Sequence, residues 1–212
     1  MSTSDRRSYH HGDLRAALLQ SALRLLDTEG ADALSLRAVA RHAGVSANAP
    51  YRHYEDKEAL LAALAVHGFT ELRARFEAVP EHPATTGPRH EDAGRPTDPA
   101  DALAPLVRAT VHYALGHPGL FRLMFGHPCV SHAAVTEASD AALAVVMDRI
   151  AGLAGPQHLT SLKIGVWALA HGLSLLLLDG RLGDTAPDEV DTLVDTVLHT
   201  MLNTPWRSPT AP

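Results

Sequence analysis

The chain has 212 residues, of which 46% are hydrophobic and 20% charged, and its net charge is −6 at pH 7. These values suit one or two water-soluble domains with a real core and exclude a protein that holds nucleic acid through overall positive charge. The charge is uneven, because residues 1–54 carry seven arginines against five acidic residues, a local balance of +2. This sign favours an N-terminal module that meets phosphate.

The N-terminal part predicts two helices in succession. The first is marked by an apolar stripe at three- and four-residue steps, formed by Leu14, Leu18, Ala22, Leu25 and Leu26. Gly30 is the expected end of that helix. Ser35 is the expected N-cap residue of a short second helix, and Gly44 follows that helix.

The stretch "GVSANAPYRHY" predicts a helix-turn-helix. Gly44 permits the left-handed backbone of the turn, and Ser46 is the expected N-cap of a third helix that starts at Ala47. Pro50 and Tyr54 lie four residues apart and share the inner face of that helix. The outer face then carries Ala47, Asn48, Tyr51 and Arg52, with His53 at its edge. These side chains can bond phosphate and read base edges, where Arg suits guanine and Asn suits adenine.

A fourth helix is predicted from Asp56 or Lys57 to about Val79, and its first turn, with the cation of Lys57, can hold a phosphate. The segment Pro80–Ala100, rich in proline and charge, predicts a loop. Further helices are predicted at Asp101–Gly116, Gly119–Phe125, His132–Leu153, Gln157–Leu178 and Asp188–Leu202. The expected fold class is therefore all-α. The run Val166–Leu178 is too short and too polar for a membrane span.

The segment from "YHHGDLRAALLQ" to "YRHYEDKEALLAAL", which covers about residues 8–64, closely resembles the DNA-binding domain of the TetR family of bacterial transcriptional regulators. The resemblance implies a three-helix head and a fourth helix that joins it to a ligand-binding and dimerisation body. The implied DNA contacts are Ser35, Arg37, Ser46, Ala47, Asn48, Ala49, Tyr51, Arg52, His53 and Lys57. It also implies a basic arm before the first helix, formed by Arg6, Arg7, Tyr9, His10 and His11.

The C-terminal half is similar to a TetR-like subgroup with a Trp…His-Gly signature, here Trp167, His171 and Gly172. That similarity implies that the last two long helices form a four-helix dimer interface. Independently, the Gln157–Leu178 helix is apolar on nearly every side and needs cover from outside its own bundle. The expected domains are a DNA-binding head (8–56), a connecting helix (57–79), a loop (80–100) and a ligand-binding and dimerisation body (101–204).

Several C-terminal side chains permit two interpretations, either plain core or the lining of an effector cavity. They are Tyr113, Leu120, Phe121, Met124, Phe125, Trp167 and His171. His171 is a core histidine, an effector contact or, less well supported, a metal ligand. The lone Cys129 has no second cysteine for a redox pair, and Ser174 lacks the G-x-S-x-G context of a hydrolase nucleophile.

The sequence thus predicts a homodimeric, cytoplasmic, bacterial transcriptional regulator, more specifically a repressor. Its expected partners are double-stranded operator DNA and a small hydrophobic effector, with no membrane, metal or cofactor. An alternative is a helical sensor that acts through a protein partner instead of DNA. A helical enzyme is a third possibility, for which the sequence shows no acid/base pair or cofactor loop.

Overall fold

The structure is a computed structural model and describes residues 11–80, 98–126, 132–153 and 155–203. Every regular element in these ranges is helical, which confirms the all-α fold class. The α-helices are α1 (His11–Ala33), α2 (Leu36–His42), α3 (Lys57–Ala78), α4 (Pro99–Gly116), α5 (Pro118–Phe125), α6 (Ala133–Ala151), α7 (Pro156–Leu178) and α8 (Pro187–Asn203). The expected basic-arm residues before His11, Cys129 and most of the predicted loop lie outside the described residues.

The described residues form two compact units. The first contains residues 11–70, 117–126 and 132–139, and the second contains 71–80, 98–116, 140–153 and 155–203. The helices α3 and α6 each begin in the first unit and end in the second. The functional domains expected from the sequence remain predictions, because these units are defined by packing and not by function.

The first unit is built on the apolar stripe of α1, and α1 packs against α2 and α5. Its buried side chains include Leu18, Ala22, Leu26, Val39, Leu60 and Leu64. Gly30 has φ 80° and ψ 173°, so the regular helix is interrupted there, as the sequence predicts, and Ala31–Ala33 add one further turn. The positive φ is open to glycine and costly for other residues.

The helix α5 packs closely against α1 in the first unit. A Cβ atom on Gly119 would lie 2.8 Å from the backbone oxygen of Leu26, so only glycine allows this approach. The ring of Phe125 contacts Phe69 on α3 edge-on, with 5.4 Å between ring centroids, and lies 4.9 Å from the ring of Phe121. Close backbone packing and an aromatic cluster therefore attach α5 to both helices.

The second unit is organised by α4, which packs against α7 and α8. The buried contacts come from Leu103, Val107 and Val111 on α4, Val166, Ala170 and Leu173 on α7, and Val190, Val194 and Leu198 on α8. Polar pairs flank this core: Arg108 bonds Asp195, and His112 Nε2 lies 2.6 Å from Asp191 Oδ1. Because these pairs are partly exposed, they add little to stability. They do hold α4 in one register along α8.

The helix α7 exposes much of its apolar surface in the single chain. By length and composition alone, the segment Gln157–Leu178 could cross a membrane, and 22% of its most apolar stretch is buried. The length argument from the sequence concerned only the run Val166–Leu178, whereas the whole helix passes this test of length and composition. One such helix is weak evidence for a membrane span.

Candidate nucleic-acid interface

The turn between α2 and the next segment has the geometry that the sequence predicts. The side-chain oxygen of Ser35 accepts a hydrogen bond from Ala38 N at 3.1 Å and caps α2. Gly44 adopts φ 69°, and Val45 N donates to Ala40 O at 3.0 Å. A left-handed glycine with this backward hydrogen bond ends a helix sharply and redirects the chain. The glycine turn of the helix-turn-helix is confirmed.

The segment after the turn is not the α-helix predicted to start at Ala47. It is a turn followed by a short 3₁₀ helix, Pro50–Arg52, whose N-cap residue is Ala49 and not Ser46. Pro50 has no N–H to donate to the carbonyl four residues earlier, so the α-helical ladder cannot form there. Ala49 N instead donates to Ser46 O at 2.9 Å, over three residues.

The short helix nevertheless has the two faces that the sequence predicts. Pro50 is buried and Tyr54 is 3% exposed, while Tyr51 is 49% exposed and Arg52 is exposed. The guanidinium of Arg15, on α1, lies 6.0 Å from the centre of the Tyr54 ring. Burial raises the pKa of Tyr54, and the charge of Arg15 partly opposes this rise. The inner face anchors the segment and leaves the outer face available for a partner.

Most of the implied DNA contacts lie at the surface of the first unit. The exposed ones are Ser35, Arg37, Ser46, Ala47, Asn48, Tyr51 and Arg52, while His53 and Lys57 are half-buried. Ala49 is 9% exposed, so its methyl group packs inward and offers little surface to a partner. Apart from Ala49, each of these residues is therefore at least partly accessible to a partner.

Lys57 begins α3, whose first turn is capped by Asp56: Ala59 N donates to Asp56 Oδ1 at 2.8 Å. The ammonium group of Lys57 also donates to the backbone oxygen of Asp32 at 3.3 Å. This bond ties the start of α3 to the end of α1, a structural role that the sequence analysis missed. A lysine has three donor hydrogens, so two remain for a phosphate oxygen.

The side chains that could line an effector cavity are divided between the two units. Leu120, Phe121 and Met124 of the first unit are at most 1% exposed, since they pack within α5 and its neighbours. Tyr113 of the second unit is fully buried, and its hydroxyl donates to Glu71 Oε2 at 3.2 Å. The guanidinium of Arg75 lies 5.1 Å from the same ring. The sequence around Tyr113 does not indicate that Glu71 and Arg75 contact it.

Trp167 and His171 lie one turn apart on α7. Trp167 is 51% exposed and Ile164, one turn earlier, is 57% exposed, so this face of α7 is accessible in the single chain. His171 is half-buried, and desolvation lowers its pKa. Among the described residues, no group of three or more His, Cys, Asp or Glu side chains could hold a metal ion.

Comparison with known proteins decides the family. Residues 18–64 match the family model described as "Bacterial regulatory proteins, tetR family", and residues 103–201 match "Tetracyclin repressor-like, C-terminal domain". The chain belongs to the TetR family. It is a helix-turn-helix transcriptional regulator, and regulators of this family are in general not enzymes and work in the cytoplasm.

Relatives support the same assignment. An uncharacterised HTH-type transcriptional regulator of Mycobacterium tuberculosis is 28% identical over 182 residues, which are 84% of this chain and 76% of that protein. A solved structure of a protein of unknown function from Rhodococcus sp. RHA1 is 33% identical, with a TM-score of 0.73, over 94% of this chain and 100% of that chain. A TetR variant from Acinetobacter baumannii AYE, solved in complex with minocycline, is 20% identical, with a TM-score of 0.58 over 92% and 96% of the two chains. At that identity the last comparison shows the fold alone.

Proposed function

We propose that this regulator is a homodimeric repressor that binds a pseudo-palindromic operator and leaves it when a small hydrophobic effector binds. The observation that carries the proposal is the two-faced segment after Gly44. Its inner face is anchored by Pro50 and Tyr54, and its outer face exposes Tyr51 and Arg52. A surface held rigidly from behind reads DNA without a large cost of ordering on binding.

The exposed residues divide into base-reading and phosphate-binding roles. Arg52 and Asn48 have the donor and acceptor patterns that recognise guanine and adenine in the major groove. Tyr51 and Lys57 offer hydrogen-bond donors to phosphate, and Lys57 does so beside the amide groups that open α3. Phosphate contacts would fix the register of the head, and the base contacts would then select the sequence.

Homodimer formation is supported by the outer face of α7. Ile164 and Trp167 lie three residues apart and so on one side of the helix, and they are 57% and 51% exposed although α7 is mostly apolar in composition. Near the end of α8, Met201 is 48% exposed. A second copy of the same face would remove this surface from water, and a two-fold interface buries the same residues twice. Two heads would then enter successive major grooves about 34–36 Å apart.

Release of the operator would be a population shift. An effector that binds best to a dimer conformation with wrongly spaced heads weakens DNA binding by the ratio of its affinities for the two conformations. The helices α5 and α3 are the proposed route of transmission. The support for α5 is its close attachment to α1, through Gly119, and the support for α3 is its continuity from the Lys57 end into the second unit.

The proposal is tested by selection of binding sites from random duplexes with the full-length protein. A repressor of this kind enriches an inverted repeat, and fluorescence anisotropy then gives the affinity of the selected duplex with its salt dependence. If no sequence is enriched, or if the enriched site lacks two-fold symmetry, the homodimeric repressor is contradicted. Failure to bind DNA at any salt concentration would instead favour the sensor that acts through a protein partner.

A further inference from the structure

A groove with a volume of about 410 Å³ lies in the first unit, beside the segment proposed to read DNA. It is bounded by α1, by the residues that follow the 3₁₀ helix, by α3 and by the residues that begin α6. It is partly open to solvent. Its volume falls in the range of small-molecule sites, which is roughly 300–1,000 Å³. The proposed function makes no use of this groove.

The wall of the groove combines polar and apolar side chains. The polar members are Arg15, His53, Tyr54, His67 and His132. The apolar side comes mainly from α3, through Ala62, Ala63 and Val66. Among the described residues that line it, none is aspartate or glutamate. A guanidinium beside imidazole groups that can donate hydrogen bonds, with no carboxylate among the described lining residues, favours a negatively charged group. The apolar side favours a hydrocarbon body attached to it.

Tyr54 supplies the second, independent observation. It lines the groove, it is 3% exposed, and its hydroxyl finds no hydrogen-bond partner among the described residues. A buried hydroxyl without a partner is unfavourable, because it has lost its bonds to water and gained none in return. Unsatisfied groups of this kind are rare in native structures and need an explanation. An oxygen atom of a ligand in the groove would provide the missing acceptor.

We propose that this groove binds a small amphipathic organic anion, with its carboxylate or phosphate group on Arg15 and Tyr54 and its apolar body along α3. Binding here is distinct from the effector binding proposed above, which concerns the C-terminal body. Because His53 and Tyr54 belong to the segment that follows the helix-turn-helix glycine, an occupied groove holds that segment in one conformation. Whether this changes the affinity for the operator depends on the proposed function. The binding of the anion does not depend on it.

Octanoate is a suitable probe, and 1-octanol and inorganic phosphate are its controls. Titration of the full-length protein by isothermal calorimetry is expected to show saturable binding of octanoate and at least tenfold weaker binding of each control. Arg15→Gln should weaken octanoate binding at least tenfold. Tyr54→Phe keeps the ring and removes the unpaired hydroxyl, so it should weaken binding about threefold to tenfold while the thermal midpoint stays the same or rises. Arg24→Gln, an exposed arginine of α1 outside the groove, is the matched control.

The outcomes are distinguishable. Octanoate affinity that is unchanged in both groove variants places the anion elsewhere and overturns the proposal, as does a lack of octanoate binding at concentrations up to about 10 mM. Equal binding of inorganic phosphate overturns the amphipathic character of the ligand. The assay contains no DNA, so failure to bind octanoate and failure to enrich an operator are separate results.

Discussion

Gly68 of α3 lies directly beneath Met124 of α5. A Cβ atom on Gly68 would overlap the sulfur of Met124 and would lie 3.2 Å from Cγ of Leu120. The thioether of Met124 therefore occupies the space that any other residue at position 68 would need. With Gly119 on Leu26, this contact fixes α5 in the same compact unit as the helix-turn-helix. A shift of α5 would therefore displace α1 or α3 in the DNA-binding head. This supports the proposed part of α5 in transmission.

The close approach of α5 to α1 can be tested with Gly119→Ala. The added methyl group would collide with the backbone oxygen of Leu26, which cannot move aside as a flexible side chain can. We expect the free energy of unfolding to fall by about 1–3 kcal/mol, even though alanine favours helices by up to about 1 kcal/mol. Urea denaturation measures the change.

Gly116→Ala is the control for this variant, because nothing lies within 4 Å of the added methyl group. Its free energy of unfolding should stay the same or rise by up to about 1 kcal/mol, because alanine is the better helix former. Equal stability of the two alanine variants would show that α5 does not pack against α1 as closely as the structure describes.

The base-reading role of Arg52 predicts a loss of specific affinity on Arg52→Ala. We expect binding to the selected operator to weaken by about 1–3 kcal/mol, or roughly fivefold to 150-fold, and sequence preference to relax at one position of each half-site. Anisotropy titrations with the operator and with single-base variants measure both effects. Arg24→Ala removes an equal charge from an exposed position on α1 and should change affinity little. The base-reading role is refuted if both variants weaken binding alike.

The phosphate role of Lys57 predicts a different pattern. Lys57→Gln should weaken binding to all duplexes similarly and reduce the slope of log affinity against log salt concentration by about one unit. The ammonium also bonds the Asp32 carbonyl, so the variant is compared at a temperature where circular dichroism shows it folded. An unchanged salt slope in the folded variant would leave Lys57 with its structural role alone.

The outer face of α7 predicts the state of assembly. Ile164→Glu places a carboxylate where a second subunit would exclude water, and burial of an unpaired charge costs several kcal/mol. The dimer dissociation constant should therefore rise at least about a hundredfold. Sedimentation velocity over a concentration series measures this shift. Leu182→Glu, at a similarly exposed position after α7, is the control, and it should leave assembly unchanged. Dissociation by both variants or by neither would argue against this face as the interface.

His171 predicts a pH dependence of stability. Desolvation lowers its pKa in the folded protein below the usual value of 6.5, so the unfolded chain takes up its proton first as the pH falls. Its contribution to stability is present above pH 6.5 and is lost as the pH falls from there toward the lowered pKa. His171→Gln removes this contribution. Urea midpoints between pH 8 and pH 5 should therefore fall less in the variant than in the original protein, and an equal fall would contradict the prediction.

The local features of the DNA-binding head followed from the sequence because each depends on atoms only a few residues apart. Ser35 caps the helix that begins next to it, and Gly44 takes the backbone conformation that the adjoining turn requires. The short 3₁₀ helix was missed although its cause is also local. A helix that started at Ala47 would need an N–H of Pro50 to bond the carbonyl of Ser46, but proline has no N–H, and Ala49 N donates to that carbonyl instead.

The sequence by itself determined the all-α class, the approximate positions of the α-helices and the two faces of the DNA-binding segment, because apolar periodicity and capping act within one or two turns. The tertiary structure alone decided which distant residues meet. It placed Lys57 on the carbonyl of Asp32, Gly68 beneath Met124, and Arg15 over the ring of Tyr54. These contacts depend on how close two helices can approach once the whole core is packed, and neither partner in such a pair carries a local mark of the other.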